Sequence, residues 1–227
     1  MKVNEAKKSM MFIGPSAVGK STMARWFSST YDMPYYSADI YINDYFREFR
    51  LKNDISLSSI YEYIESFTDK DLLKKEWETF LVSFIFWFLE NLDNSNKMQA
   101  VCFGASHTLF EDKDNFRKVQ EKLSEYDNTI LLLPSKDYDK SMNILNRRGG
   151  WKTLNHNIIN SESTYNLAHK TVYTENLSEE ELFNKLNDLL LEDYETRYCL
   201  YHNEFKRRID CDEQVAKQLN LYKKKCE

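Results

Sequence analysis

Three features of this 227-residue chain predict an α/β protein built on a mainly parallel, five-stranded sheet. Short apolar runs alternate with helical stretches along the chain. The runs are continuously apolar rather than alternating with polar residues, as in strands covered on both faces. Glycine and proline, at 5 and 3 residues, are too scarce for an all-β sandwich or barrel, which needs a tight turn about every 8–12 residues.

The elements follow in order. Met10-Met11-Phe12-Ile13 is a buried strand that ends at Gly14, and Gly19 to Ser29 carries Met23, Trp26 and Phe27 at helical spacing. Pro34 to Ser37 is a second short strand. From Ile40 to Leu92 the sequence is charged and aromatic with helical periodicity, which predicts an insert of two or three helices, the last over about 72–92. Gln99 to Phe103 is a third strand, closed by Gly104. A helix over 114–126 leads to a fourth strand, Thr129 to Leu133, closed by Pro134. The helix from Tyr138 to Arg148 is broken by Gly149-Gly150, and the Asn- and Ser-rich stretch from Trp151 to Ser163 has no clear period. Thr171 to Thr174 is a fifth strand. Ser178, with Glu181 three residues on, opens a helix with a capping box that runs to about Leu191. Residues 192–227 carry Tyr194, Tyr198, Tyr201, Phe205 and Ile209 at helical spacing and no strand, which predicts a C-terminal helical extension.

The totals exclude several classes. A net charge of −5, with one dense basic run (Lys223-Lys224-Lys225), gives no nucleic-acid footprint. Cys102, Cys199, Cys211 and Cys226 form no CxxC pair, so neither a zinc site nor a disulfide framework is expected. The longest apolar run, Phe80 to Leu89, falls well short of the ~20 residues of a membrane span and is expected as a buried helix. The polar start, Met1 to Ser9, has no apolar core of a signal peptide. The expected location is the cytoplasm, with no membrane partner.

One motif carries chemistry. Gly14-Pro15-Ser16-Ala17-Val18-Gly19-Lys20-Ser21 fits G-x-x-x-x-G-K-[ST], between a strand and a helix as that loop requires. Its backbone N–H groups, from Gly14, Ser16, Ala17, Val18, Gly19, Lys20, Ser21 and Thr22, are expected to cradle nucleotide phosphates. Lys20 bridges the β- and γ-phosphates, and the Ser21 hydroxyl is the expected Mg²⁺ ligand. The stretch Pro134-Ser135-Lys136 is not a guanine-reading Asn-Lys-x-Asp, and the third strand lacks the terminal Asp-Glu of a motor ATPase.

Met11 to Arg25, then Pro34 to Asp39, resemble the opening of the shikimate kinase family, within the nucleoside-monophosphate-kinase-like P-loop kinases. Val101 to Gly104 is similar to that family's third strand and turn. Tyr165 to Ala168, Thr171 to Thr174 and Ser178 to Glu180 are similar to its last strand and helix. The resemblance spans roughly residues 9–191. It implies a P-loop NTPase three-layer α/β/α fold, ATP and Mg²⁺ as cofactors, and an acceptor hydroxyl on a small molecule.

The resemblance also implies residue roles. The family's Asp-x-Asp pair reads Ser37-Ala38-Asp39 here, which leaves Asp39 to orient the acceptor and take its proton; as an ordinary structural residue, Asp39 would cap the helix from Ile40. Gly104 and His107, at the C-terminal edge of the sheet, are candidate acceptor-binding residues, His107 being equally readable as a turn histidine. Arg147 and Arg148 are expected against the adenine or the transferred phosphoryl group, or else as cations at a helix C-terminus. The stretch 149–164 is the expected lid, with Lys152 a further lid cation. Arg47 and Arg50 read as a solvated helix face.

The substrate side departs from the family. Where shikimate kinases hold a carboxylate with arginines, this chain has Leu72-Leu73-Lys74-Lys75-Glu76 and Ser161-Glu162-Ser163-Thr164. Without that charge-assisted clamp the acceptor is expected to be a compound other than shikimate. The expectation is therefore a small-molecule kinase domain over 1–191 (insert about 40–95, lid about 149–164) and a tail, 192–227, suited to a homodimer or a partner protein. The rival readings are a nucleoside or nucleotide kinase, a nucleotide-sugar phosphotransferase like zeta-type toxins, and a nucleotide-binding regulatory protein with a degenerate site.

Overall fold

The computed structural model describes residues 7–92 and 98–191. The expected C-terminal helical extension and its partner surface lie outside the described residues. Five strands, β1 (Lys7–Ile13), β2 (Tyr35–Ser37), β3 (Gln99–Cys102), β4 (Tyr126–Leu133) and β5 (Lys170–Tyr173), form one sheet in the order β2-β3-β1-β4-β5. Every pairing is parallel, and the register places Phe12 and Ser37 on either side of Cys102. The C-terminal ends of β1, β2 and β3 therefore lie side by side.

Nine helices occur among the described residues: α1 (Lys20–Tyr31), α2 (Ala38–Lys52), α3 (Ile60–Glu65), α4 (Lys70–Glu90), α5 (Lys113–Leu123), α6 (Tyr138–Arg147), α7 (Lys152–Ile159), α8 (Glu162–Asn166) and α9 (Glu179–Leu191). The alternation of side chains along the strands explains why the strands read as continuous apolar runs. Met11, Ile13, Val101, Leu131 and Leu133 face one core, with residues of α2 to α5. Met10, Phe12, Ala100, Ile130 and Leu132 face the other, with α1, α9 and Leu145 of α6.

Local chemistry sets the ends of the helices. Asp69 caps α4 by accepting the N–H groups of Asp71 and Leu72, Asp112 caps α5 in the same way, and Asp137 accepts Lys140 N–H at the start of α6. The capping box of α9 forms as expected: Ser178 N–H donates to Glu181 at 2.7 Å, and Glu181 N–H to Ser178 Oγ at 3.2 Å. The apolar run of α4 buries Phe80, Leu81, Phe84, Ile85, Phe88 and Leu89 along one side of the helix. Among the described residues no helix is long and apolar enough to cross a membrane.

Two expectations are corrected. Asp39 does not cap the second helix: Ser37 occupies the cap position, and Asp39 lies in the first turn of α2. The stretch after Gly149-Gly150 is not irregular, because α7 and α8 occupy it. Both are too short, at 8 and 5 residues, to display a period.

An aromatic cluster joins α2, α3 and α4. Phe80 sits 5.0 Å from Phe49, 5.3 Å from Tyr45 and 5.3 Å from Trp77, ring centre to ring centre. Replacing Phe80 with Ala is expected to lower the unfolding free energy by about 3–5 kcal/mol in urea titration. A loss below about 1 kcal/mol would show that the helical insert is not packed as described.

Candidate active site

Between β1 and α1 the chain folds into a tight loop. Ala17 adopts a left-handed conformation at φ 65°, a strain of roughly 1 kcal/mol or more for a residue with a side chain. Val18 is buried and anchors the loop to the α1-side core. Lys20, the first residue of α1, is 7% exposed. Its ammonium donates to Gly14 O at 2.9 Å and Pro15 O at 2.8 Å. Among the described residues it has no carboxylate within ion-pair distance. Burial pushes its pKa down; Cys102 and Asp39 act in the opposite direction.

Ser21 and Cys102 meet beneath the loop, Oγ to Sγ at 3.4 Å. Burial pushes the Cys102 thiol up, and Lys20 and Ser21 partly offset that. Cys102 ends β3. Two residues further, Gly104 permits a close approach that no other residue would allow, since a Cβ there would overlap the Asp39 carboxylate and lie 2.8 Å from the His107 ring.

His107 sits in a 3₁₀ turn, Ala105–Thr108, pinned from both sides. The buried Glu78 of α4 accepts the N–H groups of Glu111 at 2.9 Å and Asp112 at 3.1 Å. From α8, Ser163 and Thr164 donate to Thr108 O at 3.2 and 3.0 Å. The ring itself lies edge-on to Phe84 and is fully enclosed, and its Nδ1 accepts Gly104 N–H at 3.0 Å. Burial holds its pKa down to about 4; Asp39 raises it and Lys20 lowers it further. The ring is therefore neutral near pH 7. With Nδ1 accepting, the proton is assigned to Nε2, which faces Asp39 Oδ1 at 3.9 Å. Asp39, with its side chain 64% exposed, stands at the mouth between the buried cation and this neutral imidazole.

The structure thus brings together Lys20, Ser21, Asp39, Gly104 and His107 from three separate segments. The other predicted residues fall differently. Ser16 N–H donates to Asn155 Oδ1 at 2.7 Å, so this amide is not free for a phosphate as expected. Arg147 and Arg148 are exposed at the end of α6, and Lys152 is exposed at the start of α7. Arg47 pairs with Asp44 at 3.0 Å on the surface, and Arg50 donates to Leu57 O at 3.2 Å, as structural residues of α2. Sequence reasoning missed Cys102 as a neighbour of Ser21, Glu78 as the holder of the turn, and Asn155. Of these, only Cys102 carried a signal: it stands two residues before the glycine that closes the third strand.

No family model and no curated protein matches this sequence. Among solved structures the chain is similar to a shikimate kinase from Acinetobacter baumannii in complex with shikimate, at 14% identity and a TM-score of 0.52, covering 84% of this chain and 97% of that one. It is also similar to a shikimate kinase from Bacteroides thetaiotaomicron, at 16% identity and a TM-score of 0.47 over 81% and 98% of the two chains. A gluconokinase from Sinorhizobium meliloti matches at 15% identity and a TM-score of 0.34, over 72% of each chain. The first of these carries the assignment: this chain has the fold of the shikimate-kinase-like P-loop kinases.

The His107 environment sets a pH dependence. Its folded pKa, about 4, lies below the ordinary 6.5, so folding favours the neutral ring. That contribution is full above pH 6.5 and is lost as pH falls towards 4. Between pH 7 and 4.5 the wild type is expected to lose about 2–3 kcal/mol more unfolding free energy than His107→Asn, which keeps an acceptor for Gly104 N–H. Equal losses in urea titrations at the two pH values would place a protonated imidazole in the folded state.

Proposed function

We propose that this protein transfers the γ-phosphate of ATP to a hydroxyl of a small molecule. The observation that carries the reading is the buried Lys20 ammonium, held by loop carbonyls with no carboxylate beside it among the described residues. A buried cation without an anionic partner is costly, and a polyphosphate in the loop supplies the missing charge. The amides of residues 17–22 and Lys20 bind the phosphates. Ser21 suits Mg²⁺ carried in on the nucleotide: among the described residues no cluster of three acidic, His or Cys side chains exists to hold a resident ion, and Mg²⁺ keeps most of its waters in such sites.

In the transfer, the acceptor oxygen attacks the γ-phosphorus, its proton passes to Asp39, and the bond to ADP breaks. Neutral His107 points its Nε2–H towards Asp39 without competing as a cation. Arg147, Arg148 and Lys152 are free to approach the nucleotide from their exposed positions.

The acceptor side is a cleft of about 950 Å³ between α4, the 3₁₀ turn, α5 and α7–α8. Ser106, one residue before His107, lines it, although Lys20, Asp39 and His107 themselves do not. Several of its charges have partners, while Lys113 and Glu162 also line it. Lys74 pairs with Glu111, Arg117 with Asp114 at 3.7 Å, and Glu78 is occupied by two backbone amides. Ser161, which opens the stretch 161–164 where shikimate kinases are expected to carry an arginine, caps α8. This lining suits an uncharged polyhydroxyl acceptor better than a carboxylic acid.

ADP release from Mg·ATP is the test, with glucose, myo-inositol, glycerol, adenosine and uridine on one side and shikimate and gluconate on the other. Turnover is expected with a neutral acceptor, abolished in Lys20→Ala and reduced about 10²–10⁴-fold in Asp39→Asn. Native turnover by Lys20→Ala sinks the mechanism. ATP binding with no acceptor phosphorylated would favour the regulatory reading.

A further inference from the structure

Asn155 of α7 is completely buried, at 0% exposure, unusual for an amide side chain. Both ends of that amide are used on one residue, 139 positions earlier in the chain. Oδ1 accepts Ser16 N–H at 2.7 Å, and Nδ2 donates to Ser16 O at 3.3 Å. An amide paired in this way holds both backbone polar groups of one residue, as a neighbouring strand would, and so restrains the two peptide units that meet at Ser16.

A second observation comes from the other side of the contact. Gly150 lies so close that a Cβ there would stand 3.0 Å from Ser16 O and 2.5 Å from Asn155 Nδ2. The Gly150 N–H is itself bonded to Leu145 O at 2.9 Å, so the glycine cannot simply move aside. The gripped residue immediately precedes Ala17, which is held left-handed at φ 65°. Such strain persists only where the surroundings over-determine it. The Ser16 backbone is held by a side chain from outside the loop, and in the nucleotide-binding reading the amides that follow it are those turned to the phosphates.

We propose that Asn155 is the positioning residue of the phosphate loop: it locks the Ser16 peptide so that the following N–H groups converge before nucleotide arrives. The proposal rests on the nucleotide-binding reading of the loop. It assigns part of the expected lid a different task, that of a fixed brace on the loop.

The test uses the full chain and two readouts. Mg·ATP affinity is measured by calorimetry for the wild type, Asn155→Ala, Gly150→Ala and Val119→Ala. Val119 is buried in α5, away from the loop, and reports general destabilisation. Asn155→Ala and Gly150→Ala are each expected to raise Kd at least about tenfold, while Val119→Ala stays within about twofold at a comparable fall in Tm. Peptide-level hydrogen exchange over residues 15–22, without nucleotide, is expected to show protection in the wild type and fast exchange in Asn155→Ala. Unchanged Kd and unchanged protection in both loop variants would overturn the brace, as would an equal rise in Kd for Val119→Ala. Should the wild type itself fail to bind Mg·ATP, the nucleotide reading falls, and the exchange measurement still decides whether Asn155 orders the loop.

Discussion

A buried ammonium group that has no carboxylate partner among the described residues is the constraint around which the rest of the site is arranged. Lys20 sits at the base of a loop whose own carbonyls, Gly14 O and Pro15 O, are the two acceptors it reaches. Carbonyl dipoles lessen the cost of removing a charge from water, but they do not match an opposite charge. The neighbours are chosen accordingly. Cys102, where a carboxylate would neutralise the lysine permanently, is a thiol kept protonated by burial. His107 is kept uncharged by its enclosure, so it adds no repulsion. Asp39 has a carboxylate near enough to act on Lys20 electrostatically, and it is exposed.

This arrangement depends on the sheet edge. The parallel register lines up the ends of β1, β2 and β3, so the phosphate loop, Asp39 and Gly104 leave the sheet together. The scarcity of glycine in the sequence acquires a meaning here. At Gly104 and Gly150 a single added carbon would push away the acidic residue and the loop brace respectively. Gly104 and Gly150 mark places where two segments distant in sequence must touch.

The strands and α1 were legible because their signals are local: an apolar run, a phosphate-loop pattern, a helical period. The capping box of α9 was legible for the same reason. What escaped was set by long-range partners. Asn155 looks like any asparagine in a polar stretch, and its partner is a backbone peptide that has no sequence identity to read. Glu78 looks like one more charge on a long helix, yet its carboxylate holds the Glu111 and Asp112 amides that follow the turn carrying His107. The cap of α2 was misplaced because Ser37 and Asp39 are both good caps, and the extent of β2 decides between them. Ser16 was assigned to the phosphates because the motif describes spacing and is silent on which amides another helix has taken.

The same contacts bear on how the site closes over a reaction. A lid that swung as one piece over residues 149–164 would have to break the two bonds of Asn155 to Ser16, the bonds of Ser163 and Thr164 to Thr108 O, and the bond of Phe110 N–H to Ser163. At about 1 kcal/mol each, with buried groups left unpaired at further cost, such a swing would expend several kcal/mol that the incoming substrates must return. The groups free of such ties are the exposed side chains at the α6–α7 junction, Arg147, Arg148 and Lys152. In the proposed transfer, exclusion of water is then more economically achieved by these side chains folding over a prebuilt site than by movement of the helices beneath them.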